Sequence, residues 1–232
     1  MGEVAEVSGG TLPEPAGQRP SLRFVRWAVR VAVQRSFRLR VRGLEWIPRS
    51  GPVIVAGNHA GFLDGPLVCV VFPRPAFFLA KSELFSGPWR RVLDWADQIP
   101  IQRGTPDRVA LHRGLGVLAA GGVLGVFPEG TRGHGQLESI QHGIGYLALK
   151  AGCPIVPVVC LGTAGALPKG RWIPKFGSRL DVVFGPPFHV EVEGDPRARS
   201  TMAAAAEEVR TALVEHLSWA AAHAAGVRAD VA

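Results

Sequence analysis

PVIVAGNHAGFLDGPLVCVVF, residues 52–72, is the stretch from which the rest of the chain can be read. Val53 to Ala56 is a short apolar run and reads as a buried strand. Gly65 to Val71 reads as a short helix, and Phe72-Pro73-Arg74-Pro75 then breaks it. A strand that gives way to a helix is the unit from which α/β folds are built, and the end of such a strand is where they place their sites. Between the two lie Asn58, His59, Gly61 and Asp64.

The same alternation continues outward. Strands are expected at Ala76 to Ala80, Ile99 to Ile101, Val123 to Phe127, Ile155 to Leu161 and Leu180 to Phe184. Helices are expected at Gly87 to Trp95, Pro106 to Ala120, Gly143 to Ala151 and Ser200 to Ala224, the last rich in alanine. Gly121-Gly122 is a plausible C-cap. Strands alternating with helices predict one α/β domain with a largely parallel or mixed sheet flanked by helices.

At 232 residues the chain can bury a full core. It is 47% hydrophobic, yet no apolar run approaches the roughly 20 residues needed to span a bilayer. The longest, Leu115 to Phe127, is interrupted by four glycines. Residues 1–20 are polar, acidic and rich in Pro and Gly; they read as a disordered tail and not as a secretory signal. Cys69, Cys153 and Cys160 are odd in number and show no metal spacing, so they read as reduced core cysteines and no metal ligands are expected.

The net charge of +7 suggests an anionic partner, and much of it lies before residue 50. In residues 22–39, Arg23, Arg26, Arg30, Gln34 and Arg38 share one helical face, and Leu22, Val25, Val29, Ala32, Val33 and Leu39 the other. Trp27 and Phe37 flank the polar face. A basic amphipathic helix of this kind suits an anionic membrane surface, with arginines at the headgroups. The plainer alternative is a helix packed on its own domain with solvated arginines. No groove-reading motif is present, so a nucleic-acid partner is not expected.

His59 and Asp64 pose the chemical question. On a regular helix, positions five apart diverge by about 140° and do not meet. A turn, with Gly61 supplying backbone freedom, lets the carboxylate fold back onto the ring. A carboxylate on one imidazole nitrogen fixes the tautomer and leaves the other nitrogen free as a general base. Alternatively, Asp64 is simply a helix N-cap. No Gly-x-Ser-x-Gly elbow accompanies the pair, so the simplest chemistry is direct: the base deprotonates a substrate hydroxyl, which attacks an electrophile.

A second constellation follows the strand Val123 to Phe127. Pro128-Glu129-Gly130-Thr131-Arg132-Gly133 offers close backbone approach, a hydroxyl, a carboxylate and a guanidinium suited to phosphate. Glu129 is expected to accept from a substrate hydroxyl or hold an arginine. Two more strand ends deliver Lys81 and Arg103. Lys81, Arg103 and Arg132, converging near His59, would make a phosphate pocket beside a base.

Asn58-His59-x4-Asp64, Ile99-Pro100-Ile101-Gln102-Arg103, Phe127-Pro128-Glu129-Gly130-Thr131-Arg132 and Ile155-Val156-Pro157-Val158 occur in the order of the four motifs of the glycerolipid acyltransferases. The chain resembles the 1-acylglycerol-3-phosphate, or lysophosphatidate, acyltransferases over roughly residues 40–190. Two positions depart from the pattern: Asp97 stands where the second motif usually opens with glycine, and His142 where a lysine often precedes glycine. The resemblance implies acyl transfer from acyl-CoA or acyl carrier protein, as co-substrate, to a lysophospholipid acceptor, with no further cofactor. It implies His59 as general base with Asp64 as its partner. Lys81, Arg103 and Arg132 would hold the phosphate, and Glu129, Gly130 and Thr131 would shape the acceptor site. Another acceptor, such as glycerol 3-phosphate, or thioester hydrolysis stays open, as does a non-catalytic lipid binder. The expected organisation is a tail (1–20), a membrane-docking helix (21–42) and an acyltransferase domain (43–225), attached peripherally at the cytoplasmic face of the cell membrane. Activity is expected to fall on the acid side as His59 protonates.

Overall fold

The structure is a computed structural model and describes residues 20–102, 107–130 and 135–226. Its strands are β1 (Arg38–Arg42), β2 (Val53–Gly57), β3 (Ala76–Lys81), β4 (Ile99–Ile101), β5 (Val123–Val126), β6 (Ile155–Leu161) and β7 (Arg179–Phe184). The helices are α1 (Pro20–Ser36), α2 (Asp64–Val71), α3 (Arg90–Trp95), α4 (Arg108–Ala119), α5 (Gly143–Ala151), α6 (Thr163–Ala166) and α7 (Arg199–Gly226). The expected tail lies outside the described residues, apart from Pro20.

β2 shows why its sequence lacks alternation. All five residues are buried. Ile54 and Ala56 enter the core on one face of the sheet, and Val53 and Val55 enter the core on the other. The strands form one sheet in the order β1-β7-β6-β2-β5-β3-β4. β6, β2, β5, β3 and β4 run parallel; β7 is antiparallel to β6, and β1 is parallel to β7. The sheet is therefore mixed. Leu67, Val68 and Val71 of α2 cover one face. Ala110 and Leu118 of α4, Ile144 and Leu147 of α5, and Ala206, Val209 and Leu213 of α7 cover the other.

This layering fixes where a ligand can enter. The chain leaves β2 through α2 on one face and leaves β5, its neighbour, through α5 on the opposite face. The loops part there and open a crevice at the carboxyl ends of β2 and β5.

The N-terminal region differs from expectation in two ways. The helix ends at Ser36, and Arg38–Arg42 is an edge strand, with Leu39 opposite Leu180 and Val41 opposite Val182. Arg-Leu-Arg-Val-Arg has period two, and Leu39 and Val41 pack onto the α2-side core; that burial outweighs continuation of the helical stripe. The basic stripe of α1 is also not wholly solvated. Arg26 faces the domain, its Nη2 donating to Phe72 O at 2.5 Å and Arg74 O at 3.2 Å, while Phe24 and Trp27 are exposed. Burial pulls the Arg26 guanidinium below its ordinary pKa. Further along, the helix expected from Gly87 begins only at Arg90, because Gly87-Pro88 interrupts it, and a 3₁₀ turn at Ser82–Ser86 precedes it.

Candidate active site

The crevice is built on the turn after β2. The β2–β6 ladder ends with Gly57 opposite Val158. Asn58 then extends it with its side chain: Cys160 N donates to Asn58 Oδ1 at 2.9 Å, and Asn58 Nδ2 donates to Cys160 O at 3.2 Å. The amide thus pairs with β6 as a further peptide group would, and it fixes where His59 starts.

His59 and Asp64 meet as the turn allows. His59 Nδ1 lies 3.0 Å from Asp64 Oδ2. An ionised carboxylate only accepts, so Nδ1 carries the hydrogen and donates. Gly61 N donates to the same oxygen at 2.7 Å. Asp64 is wholly buried and is the first residue of α2, where the helix dipole favours negative charge. It is not an N-cap: Leu63 holds that position, and no side chain caps the helix. His59 Nε2 has no protein partner among the described residues, and the side chain keeps 11% of its surface exposed. One nitrogen is tied and the other is open to the crevice.

Gly61 serves for a reason other than backbone freedom. Its φ is not in the left-handed region. A Cβ at this position would meet Ala164 N at 2.9 Å and Thr163 C at 3.0 Å. Glycine lets the turn pack directly onto the start of α6.

The ring is also held on its face. Phe127 stacks on His59 with centroids 4.5 Å apart, and Phe78 stacks on Phe127 at 5.4 Å. Gly125 makes that column possible, since a Cβ there would lie 2.4 Å from the Phe78 ring. Glu129 supplies the last restraint: His59 N donates to its Oε1 at 2.8 Å. Burial pushes the Glu129 carboxyl above its ordinary pKa, opposed by that hydrogen bond. The carboxylate holds the His59 backbone, a partner not foreseen in the sequence.

Of the expected cations, Lys81 alone lies among the described residues. Lys81 ends β3, two strands from β2, and its Nζ pairs with Glu83 Oε1 at 2.9 Å on the surface. Arg103, Thr131 and Arg132 lie outside the described residues. Residues on either side of 131–134 do border the turn: Gly130 follows Glu129 at φ 69°, and Gly135 packs against Ala60 and Asn58. Asp97, where the resembled motif opens with glycine, keeps a left-handed backbone at φ 51°, a conformation Asp tolerates better than most residues. Val156 and Val158 of the fourth motif are core. The three cysteines are free thiols that burial makes harder to ionise, Cys69 being pushed up to about 12.

The family model described as Acyltransferase matches residues 38–161, from β1 to the end of β6. This chain belongs to the acyltransferase family. The acyltransferase is 35% identical over 191 residues to the 1-acyl-sn-glycerol-3-phosphate acyltransferase of Pseudomonas aeruginosa, covering 76% of this chain and 68% of that protein. It is 30% identical over 172 residues to the chloroplastic 1-acyl-sn-glycerol-3-phosphate acyltransferase LPAT1 of Arabidopsis thaliana, covering 70% of this chain and 47% of the plant protein. Its fold is similar to the crystal structure of the 1-acyl-sn-glycerophosphate (LPA) acyltransferase PlsC from Thermotoga maritima. That match has a TM-score of 0.58 and 25% identity, and covers 88% of this chain and 85% of the other.

Proposed function

We propose that this acyltransferase moves a fatty acyl chain from an acyl-CoA or acyl-carrier-protein thioester to the sn-2 hydroxyl of 1-acylglycerol 3-phosphate, giving phosphatidate for phospholipid biosynthesis. The observation that carries the proposal is the His59–Asp64 pair, with Nδ1 held at 3.0 Å and Nε2 open at the carboxyl end of β2. The names of the relatives supply the acceptor.

His59 Nε2 takes the hydroxyl proton as the oxygen adds to the thioester carbonyl. The C–S bond of the adduct then breaks, and the leaving thiolate recovers the proton from the imidazolium. Asp64 stabilises the imidazolium between the two steps and keeps the ring in register. Glu129 acts through the His59 backbone as a positioning residue. Lys81, Arg103 and Arg132 hold the acceptor phosphate, with Gly130 and Thr131 shaping its pocket.

The enzyme works as a peripheral protein at the cytoplasmic face of the cell membrane, where its acceptor resides. Among the described residues no helix is long and apolar enough to cross a membrane. The outward faces of Phe24 and Trp27 on α1, 66% and 60% exposed, support docking in the interface. Arg26 is used inside the protein and is not part of that contact.

The test is transfer from a labelled long-chain acyl-CoA to lysophosphatidate, wild type beside His59→Ala. Phosphatidate from the wild type alone is the expected result. Free fatty acid formed whatever the acceptor would make the pair a water activator instead.

A further inference from the structure

The loop from α6 to β7 has no part in the reaction described above, yet it carries the most exposed aromatic side chain among the described residues. Trp172 is 81% exposed, Ile173 73% and Phe176 67%. Lys169, Arg171 and Lys175 are interleaved with them, all exposed, and none forms an ion pair among the described residues. The loop is not a slack strand of chain. Lys175 N donates to Ala166 O at 2.7 Å, Arg171 N to Pro168 O at 3.1 Å, and Ser178 Oγ to Lys175 O at 2.6 Å. Its backbone is folded back on itself while its largest apolar groups face water.

Its place in the fold ties it to the site. β6 lies beside β2 and runs parallel to it, so the loop leaves the same sheet edge that carries His59. The loop returns into β7 at that edge, where it also meets the end of α1. Gly177 N donates to Ser36 O at 2.7 Å, Arg38 N donates to Ser178 O at 3.0 Å, and Phe37 and Phe176 stand 5.9 Å apart. Between them is a cleft of about 710 Å³, lined by Arg35, Arg38, Phe37, Leu39 and Phe176. Arg35 and Arg38 are exposed and also without an ion pair among the described residues. Beyond β2, Phe62 and Trp89 pack at 5.8 Å, and Trp89 and Val92 are exposed on the far side of the same edge.

We infer that the loop Leu167 to Ser178, with the end of α1, is a second docking surface whose occupant is a bilayer containing acidic phospholipids. Trp172, Ile173 and Phe176 enter the interface, and Lys169, Arg171, Lys175, Arg35 and Arg38 take the headgroup phosphates. Interfacial aromatics flanked by cations are what such a surface binds. An acidic protein partner would meet the cations but leave three large apolar tips without an acyl layer to enter. The inference rests on the reading that the acceptor is a membrane lipid, and it gives the surface a purpose: it turns the open edge of the sheet, and His59, toward the leaflet.

The experiment uses the full chain, with co-sedimentation on phosphatidylcholine vesicles with and without phosphatidylglycerol. It compares wild type, Trp172→Ala and the triple variant Lys169→Gln/Arg171→Gln/Lys175→Gln. Each cation near an anionic surface contributes about fivefold, so the triple variant should lose about a hundredfold in partitioning to acidic vesicles. Trp172→Ala should lose roughly tenfold on them. All these side chains are exposed, so melting curves should coincide with the wild type. Unchanged vesicle binding by both variants would overturn the inference. So would unchanged vesicle binding accompanied by lost binding of an acidic acyl carrier protein, which would make the surface a protein site. Vesicle binding needs no turnover, so an inactive enzyme that still requires Trp172 for binding would refute the proposed reaction and keep the surface.

Discussion

Helix α2 meets a buried charge at its start and a half-buried one past its end, and the two are used for different purposes. At its first residue, Asp64 is wholly enclosed and spends one oxygen on Gly61 N and His59 Nδ1. Just past its last residue, Arg26 reaches in from α1 to the carbonyls of Phe72 and Arg74. Both charges suit the end of the dipole they face. The first orients a ring whose other nitrogen is open to substrate; the second closes off carbonyls that would otherwise lack partners and ties α1 to the domain. A charge at a helix end is thus chemistry or scaffolding according to what lies on its far side.

That contrast can be broken from either end. His59→Ala should lower acyl transfer by two to four orders of magnitude, about the range for losing a general base, with a smaller cost of about 1–2 kcal/mol in stability because the buried Asp64 loses its ring partner. Equal loss of stability would mean the ring is chiefly a packing element. Asp64→Asn should come next, lowering kcat by up to about 10⁴-fold. An amide can still accept from Gly61 but no longer stabilises the imidazolium. Steady-state assays in which KM changed and kcat did not would argue for a role in binding. Arg26→Leu should do the reverse of both. It should cost about 1–2 kcal/mol of unfolding free energy, read by denaturant titration, because two carbonyls lose a charged donor. Turnover of a water-soluble acceptor should be unaffected.

Glu129→Gln gives the smallest and most discriminating change. Burial raises the Glu129 carboxyl pKa above its unfolded value. Its contribution to stability is therefore full below the unfolded pKa and is lost as pH rises through the folded one. Glutamine still accepts from His59 N and has no charge to desolvate. Melting temperature followed from acid to neutral pH should fall less in the variant than in the wild type across the weakly acidic range, with activity changed only a few-fold. A profile parallel to the wild type would place the carboxylate in water.

The same comparison shows what a reader of the sequence can reach. His59 and Asp64 were legible because their meeting is local: a separation of five positions allows one tight turn. β2 and β6 were legible because strands buried on both faces keep apolar runs. The partners of Asn58 and Glu129 were not, since Cys160 and His59 become their neighbours only through the order β6-β2-β5, which no local pattern states. α1 shows a further limit. Its stripe of arginines was visible, but periodicity separates two faces without saying which is turned to protein; Arg26 lies inward and Trp27 outward. β1 was missed because Arg38 and Leu39 satisfied the helical stripe as well as the strand that β7 pairs with. Lys81 illustrates the converse. The strand end that presents this cation was legible in the sequence; the surface pair it makes with Glu83 was not.

The amide of Asn58 has a consequence for how sharply the ring is placed. Because it both gives and takes a hydrogen bond with Cys160, the side chain acts as a surrogate peptide unit, and sheet geometry runs one step beyond the strand itself. The imidazole that follows inherits the stiffness of the central ladder and not the looseness of a loop. Aspartate, nearly the same shape, would face Cys160 O with an oxygen where a donor is needed. A single atom, nitrogen for oxygen, thus separates a ring anchored to the sheet from one free to wander.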